Sequence, residues 1–315
     1  MEITVKQHKS PGLPIVHHSK YVCDFPLKHR FCMRKFHAVL RYLRSDGIIS
    51  MKQVLEPREV TQEECQLVHH PDYIHRFFNG LTSKKEQRVS GVEWSPGIVS
   101  RCRHETGGTI LACHLALVRG LACSTGGGTH HAFAAHGSGY CLINDMAVAA
   151  TVMLKKKLAR KVLIVDLDVH QGDGTASILQ HAENIFTLSM HCGSNFPFTK
   201  QSSDLDVSLR DHAQDEEYLH EVHDVLPYVV DTFNPDLVIY DAGIDPHKDD
   251  ELGRLDLTDT GLYKRDKYVI DFLISQGIPV ATVIGGGYSR SLETLGKRHT
   301  IVHRAASKVW MDRQL

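Results

Sequence analysis

The chain has 315 residues, and 36 lysines and arginines stand against 37 aspartates and glutamates, for a formal net charge of −1 at pH 7. This balance excludes a protein that binds nucleic acid or a membrane surface through its net charge. Residues 1–21 lack the basic and apolar regions of a secretory signal, and no apolar run reaches the roughly 18 residues of a membrane span. We therefore expect a soluble, intracellular protein of the cytoplasm or nucleus, whose partners are set by a local site.

Apolar runs of strand length alternate with longer segments of helical spacing. The clearest runs are KVLIVDLD (161–168), NIFTLSMH (184–191), DLVIYDAG (236–243) and PVATVIGGG (279–287), and the clearest helical segments are 216–233 and 259–277. This alternation is typical of an α/β fold in which a mostly parallel sheet carries helices on both faces. Residues 1–100 are less regular, and we expect them to add helices and loops. No repeat or linker divides the chain, so we predict a single domain over 1–315.

Four polar clusters follow apolar runs in chain order. LACSTGGGTHH ends in His130 and His131, VLIVDLDVH contains Asp166, Asp168 and His170, LVIYDAGID contains Asp241 and Asp245, and VATVIGGGY ends in Tyr288. In open α/β sheets, ligands bind at the edge formed by the carboxyl ends of the strands. The four clusters therefore predict one active site.

The strand at 161–168 carries an unusual set of polar side chains. Residues two apart on a strand face the same side, so Asp166, Asp168 and His170 project into one space. Unneutralised carboxylates in an apolar layer cost several kcal/mol, and a divalent cation would neutralise them. Aspartate and histidine suit Zn²⁺ or Fe²⁺, and Asp245 from another strand end is the candidate third ligand. The alternative is a polar strand end satisfied by hydrogen bonds alone.

Two glycine turns present polar side chains at the same edge. In GGGTHH (126–131) the glycines let the backbone turn tightly and approach a ligand, and the lysine of a phosphate loop is absent. In GGGY (285–288) a similar turn presents a phenol that can donate a hydrogen bond to a developing oxyanion. A histidine pair alone is weak evidence of a site, and core packing is the alternative interpretation for Tyr288.

The motifs GGGTHHAFAAHGSGYCLIND, VDLDVHQGDGT, DAGID and GGGY resemble, in order and spacing, those of the zinc-dependent histone deacetylases. The resemblance covers nearly the whole chain. The DLDVHQG segment is most similar to class IV deacetylases and their bacterial relatives, although GDG at 172–174 departs from the class IV pattern GNG and leaves the subclass open. The family implies an arginase/deacetylase fold with a mostly parallel sheet of roughly eight strands and helices on both faces.

The resemblance also implies catalytic roles. His131 would act as general base and then general acid, oriented by Asp173. His130, paired with Asp166, would help to polarise water and the substrate carbonyl. Tyr288 would stabilise the oxyanion, while Asp168, His170 and Asp245 would hold Zn²⁺ or, alternatively, Fe²⁺.

Further residues would bind the substrate. The family pattern places Tyr140 and Phe196 on the walls of a channel around the lysine side chain and Gly139 on its floor. Arg30 would lie near the acyl exit pocket. The pattern also implies a structural monovalent cation, K⁺, held by Asp166, Ser189 and backbone carbonyls of residues 166–170.

Three functions stay open. The first is hydrolysis of acyl-lysine, with an acetyl or long-chain group, on histones or other proteins. The second is hydrolysis of acetylpolyamines or other small amides. The third, a catalytically silent acyl-lysine binder, is disfavoured because binding alone needs no base, orienting acid, metal ligands and tyrosine together. We expect no direct binding of nucleic acid or membrane, and the sequence leaves the oligomeric state open.

Overall fold

The strands of the sheet all run in one direction. A computed structural model describes residues 11–315, so residues 1–10, on which part of the prediction for 1–21 falls, lie outside the described part. The strands are β1 (Ile15–Val16), β2 (Val54–Leu55), β3 (Leu121–Ser124), β4 (Val162–Asp166), β5 (Ile185–Cys192), β6 (Leu205–Leu209), β7 (Leu237–Asp241) and β8 (Val280–Val283). Within this range they form an 8-stranded sheet in the order β2-β1-β3-β8-β7-β4-β5-β6, with every neighbouring pair parallel. The predicted parallel α/β sheet is confirmed.

Helices connect the strands and cover the sheet. They are α1 (Lys35–Ser45), α2 (Gln62–Cys65), α3 (Pro71–Phe78), α4 (Lys84–Ser90), α5 (Pro96–Arg119), α6 (Asp145–Lys155), α7 (Asp173–Leu179), α8 (Asp215–Phe233), α9 (Asp259–Ser275), α10 (Leu292–Arg298) and α11 (Ile301–Arg313). Every residue of β4 and β7 is buried, so both faces of the sheet centre are covered. The helices α8 and α9 match the two helical segments predicted from spacing. Among the helices of the described range, none has the length and apolar character that crossing a bilayer requires.

The register of the central strands aligns polar residues at one edge. Asp166 at the end of β4 is paired with Ser189 on β5 and with Asp241 on β7. Cross-strand partners point to the same side of a sheet. The sheet therefore places these three side chains side by side before any loop contributes to the site.

A buried histidine ties the loop after β3 to the start of α6. The backbone N–H of Asn144 donates to His69 Nε2 at 2.9 Å, so Nδ1 carries the proton and donates to the Phe133 carbonyl at 3.0 Å. Burial lowers the pKa of His69 to about 4 from its usual 6.5. A protonated His69 would lose the bond from Asn144 and leave a charge in the core.

We therefore expect His69 to make the protein acid-sensitive. The unfolded chain binds this proton near pH 6.5 and the folded chain only near pH 4. The free energy of unfolding therefore keeps its full value above pH 6.5 and falls progressively below it. The loss at pH 4 amounts to about 3 kcal/mol, from roughly 1.4 kcal/mol per pKa unit. Urea unfolding between pH 7 and pH 4 measures it. The variant His69→Gln should show a shallower fall, and an unchanged slope would contradict the assignment.

Candidate active site

The predicted site residues meet in one open cavity at the carboxyl edge of the sheet. Its volume is about 1430 Å³ including the solvent-filled mouth. The lining includes seven of the predicted residues, which are Arg30, His131, Gly139, Tyr140, His170, Phe196 and Tyr288. Residues from loops far apart in the sequence thus converge because their strands end side by side.

The three predicted metal ligands lie together, and one of them, His170, lines this cavity. Ligand-type atoms of Asp168, His170 and Asp245 lie within 4.8 Å of one another, and all three residues are buried. His170 Nδ1 is 2.9 Å from Asp168 Oδ1 and 3.2 Å from Asp245 Oδ2. Burial opposes a charge on His170, yet the two carboxylates raise its pKa to about 10. Apart from this contact with His170, the buried Asp245 Oδ2 has no hydrogen-bond partner among the described residues. Two buried carboxylates and one imidazole, with donor atoms this close together, fit a divalent cation such as Zn²⁺.

The glycines after β8 allow the chain to pass against these ligands. The Gly286 N–H donates to Asp168 Oδ2 at 2.7 Å. A Cβ at Gly286 would lie 2.1 Å from Asp245 Oδ2 and 2.6 Å from Asp168 Oδ2. Only glycine therefore fits between the ligand pair and the tyrosine that follows.

His131 is held as a neutral imidazole. Its Nδ1 lies 2.6 Å from Asp173 Oδ1, at the first residue of α7. Because a carboxylate only accepts, Nδ1 donates and Nε2 is left as the basic nitrogen. Burial and the neighbouring His130 lower the pKa of His131 to about 4. At pH 7 it can accept a proton.

His130 has the opposite environment. Its Nδ1 lies 2.8 Å from Asp166 Oδ2, and its Nε2 lies 3.9 Å from Asp168 Oδ1. Burial opposes protonation, but the carboxylates of Asp166 and Asp168 raise the pKa of His130 well above its usual value. The two adjacent imidazoles thus differ in protonation: His131 stays neutral, whereas His130 favours its protonated form.

Asp145, at the start of α6, holds the loop that presents both histidines. Its Oδ2 accepts from the Gly128 N–H at 3.1 Å and its Oδ1 from the Thr129 N–H at 2.7 Å. Gly128 has φ +88° and a Cβ there would lie 2.7 Å from Asp241. Asp145 belongs to the IND segment of the sequence motif, but sequence reasoning assigned it no role.

Tyr288 faces the ligand group from the end of the glycine turn. Its ring centroid is 6.2 Å from that of His170 and 6.1 Å from that of Tyr140. Burial, with the nearby Asp245 and Asp168, raises the pKa of Tyr288 well above its usual value. The phenol stays protonated at neutral pH and can donate a hydrogen bond.

The predicted channel residues surround the approach to His131. A Cβ at Gly139, which has φ +51°, would lie 2.4 Å from His131 Cδ2, so the floor of the cavity requires glycine. The Phe196 ring lies 4.9 Å from the His131 ring, nearly perpendicular to it. Tyr140 lies between His29 at 5.0 Å and Tyr288 at 6.1 Å.

Arg30 and Lys35 lie at different cavities. Arg30 is exposed and lines the open cavity, whereas an inner pocket of about 380 Å³ behind the histidines is lined by Lys35, Arg101 and Glu105. Lys35 Nζ donates to the Gly285 carbonyl at 3.1 Å, and burial lowers the pKa of this amine. Sequence reasoning missed Lys35, because a lysine at the start of an amphipathic helix reads as exposed.

The predicted monovalent-cation residues adjoin a second acidic group. Ser189 Oγ lies 3.0 Å from His191 Nδ1, and Ser189 is the strand partner of Asp166. Ligand-type atoms of Asp166, His130 and Asp241 also lie within 4.8 Å of one another. Both carboxyl oxygens of Asp241 are buried without a hydrogen-bond partner in the described chain. The edge is therefore richer in carboxylate than the predicted roles require.

Comparison with known proteins places this geometry in context. Residues 29–304 match the family model described as histone deacetylase domain. The chain is 48% identical over 303 residues to an uncharacterized protein of Picosynechococcus sp. (strain ATCC 27264 / PCC 7002 / PR-6). The aligned region covers 95% of this chain and 100% of the relative. It is 31% identical to histone deacetylase 2 of Arabidopsis thaliana, over 88% of this chain and 75% of the relative. An acetoin utilization protein AcuC of Staphylococcus aureus (strain MSSA476) is 27% identical over 90% of this chain and 79% of the relative.

The fold has a counterpart among solved structures. The crystal structure of the HDA15 HD domain superposes with a TM-score of 0.78 at 24% sequence identity. The match covers 92% of this chain and 89% of that chain. At this identity the likeness establishes the fold alone.

Proposed function

The chain belongs to the histone deacetylase family, and from that premise we propose that it hydrolyses N-acyl-lysine amides of proteins or peptides, with histones among the candidate substrates. The family supports a deacetylase-type hydrolase in general. The lysine substrate, the metal Zn²⁺, with Fe²⁺ as the alternative, and the residue roles below belong to the proposal.

One observation carries it: a neutral base, a protonated phenol and a group of metal-ligand atoms line or underlie the same cavity. Asp168, His170 and Asp245 would hold the cation, which when bound supplies Lewis-acid polarisation of the carbonyl and acidification of water. A structural K⁺ at Asp166 and Ser189 is part of the same proposal.

The protein's own side chains would move the protons. His131 Nε2 takes a proton from the attacking water while Asp173 holds the Nδ1 proton in place. The same nitrogen then returns the proton to the departing lysine amine. His130, kept cationic by Asp166, offers positive charge beside the reacting carbonyl.

Tyr288 would act on the other side of the carbonyl. Its hydroxyl donates to the oxygen as negative charge develops there, and its raised pKa keeps the proton available. Gly139, Tyr140 and Phe196 would hold the methylene chain of the lysine in the channel.

The test is hydrolysis of one peptide sequence carrying acetyl-, octanoyl- or myristoyl-lysine. Zinc-loaded protein, chelator-treated protein and chelated protein given zinc again are compared, with metal content measured in each. We expect turnover that is lost on chelation and restored by zinc, and the preferred chain length identifies the acyl substrate. Full activity in protein shown to lack metal would overturn the mechanism. Turnover of acetylpolyamines without turnover of any peptide would favour the small-amide alternative.

A further inference from the structure

The mouth of the active-site cavity carries charge of one sign. Three arginines, Arg30, Arg88 and Arg254, line it, and within residues 11–315 no aspartate or glutamate lines it. All three side chains are exposed. The whole chain is balanced at −1, so this excess is local to the cavity.

The arginines come from three separate parts of the chain. Arg30 precedes α1, Arg88 lies in the last turn of α4, and Arg254 follows β7 in the loop that contains Asp245. The positive charge at the mouth therefore comes from three separate chain segments and not from one face of a single helix.

Few acids offset these charges. Arg254 Nη1 lies 3.6 Å from Asp211 Oδ2 and donates to Ser194 Oγ at 3.2 Å. Glu251, next to the lining residue Leu252, lies 3.8 Å from Arg290. Within the part of the chain that the structure describes, Arg30 and Arg88 form no ion pair within 4.0 Å.

Other features of the mouth agree with a peptide-sized ligand. Phe198 lines it with 88% of its surface exposed, and Val89 lines it with 53% exposed. Exposed apolar groups and cationic groups thus both line the opening. A substrate longer than the acyl-lysine side chain would contact both.

We infer that this rim selects acyl-lysine substrates with acidic residues beside the modified lysine, and disfavours basic tails and acetylated polyamines. The inference rests on the proposed function and names its substrate class. The planar guanidinium of arginine matches a carboxylate with two parallel hydrogen bonds. A cavity lined by one sign of charge concentrates ligands of the opposite sign and repels those of the same sign.

Matched acetyl-lysine peptides test this. They share one sequence apart from two residues on each side of the lysine, which are acidic, neutral or basic. We expect kcat/KM for the acidic peptide to exceed that for the basic peptide about tenfold at low salt. The ratio should shrink to about twofold at 0.5 M NaCl, because salt screens exposed charges.

Variants separate the rim from the overall charge. The triple variant Arg30→Gln/Arg88→Gln/Arg254→Gln should bring the acidic-to-basic ratio close to one. The control triple variant Arg41→Gln/Arg44→Gln/Arg160→Gln has the same change in net charge. Arg41 and Arg44 line a different cavity and Arg160 is 91% exposed, so the control should keep the wild-type ratio. Each arginine is also replaced singly, so that a poorly folding triple variant leaves the ratio measurable.

The outcomes distinguish the two proposals. Hydrolysis of all peptides with an equal or basic preference would overturn the rim inference and leave the hydrolase intact. An acidic preference that survives loss of the rim arginines would overturn it too. Hydrolysis of none of the peptides by folded, zinc-loaded protein would instead overturn the proposed function.

Discussion

Replacement of Asp168 by asparagine is expected to remove bound zinc and hydrolysis together, with activity at least about 10³-fold lower, since a catalytic metal supplies several kcal/mol of transition-state stabilisation. In the wild type, Asp168 Oδ1 accepts from the His170 N–H and lies 2.9 Å from His170 Nδ1, while Oδ2 accepts from Gly286. Both oxygens face donors. An amide there loses the negative charge and turns its NH₂ group toward an N–H donor.

The measurement pairs metal content by elemental analysis with kcat/KM on the best acyl peptide. The matched control is Asp224→Asn, at an exposed position on α8 where Asp224 lies 3.5 Å from His220. Circular dichroism and thermal unfolding establish that both variants fold. Retention of one zinc per chain with normal turnover in Asp168→Asn would remove Asp168 from the ligand set.

The centre of the fold and much of the site follow from local pattern. The strands β4, β5, β7 and β8 were predicted because each is a short apolar run ending in polar or glycine residues. A spacing of two predicts that Asp166, Asp168 and His170 face one side, but β4 ends at Asp166 and residues 168–170 form a bend. Asp166 therefore groups with His130 and Asp241, while Asp168 and His170 group with Asp245. That Asp245 and Tyr288 reach the same edge follows from the parallel order of the strands.

The rest depends on packing that no local pattern records. Strands β1 and β2 have two residues each, too few to show a periodicity. Lys35 is buried because it lines the inner pocket, and Asp241 lies opposite Asp166 on the neighbouring strand, where its carboxyl oxygens have no hydrogen-bond partner among residues 11–315. The arginine rim joins three segments that are distant in sequence.

Replacement of Tyr288 by phenylalanine is expected to lower kcat about 10²- to 10³-fold with little change in KM, the usual effect of losing one oxyanion donor. The phenyl ring keeps the contacts with His170 and Tyr140, so the channel and the metal ligands are preserved. Zinc content should stay at the wild-type level, unlike in Asp168→Asn.

The pH profile adds a second readout. Burial raises the pKa of Tyr288 well above its usual value of 10, so the phenol stays protonated across the neutral and mildly alkaline range. We therefore expect the wild type to lose no activity through ionisation of Tyr288 up to about pH 9. Steady-state kinetics for the wild type, Tyr288→Phe and Tyr228→Phe, an exposed position on α8, provide the comparison. A kcat for Tyr288→Phe within about threefold of wild type, well short of the oxyanion-donor range, would mean that the oxyanion is stabilised without this phenol. His130, held cationic beside Asp166, would then be the side chain that stabilises the negative charge developing on the substrate oxygen.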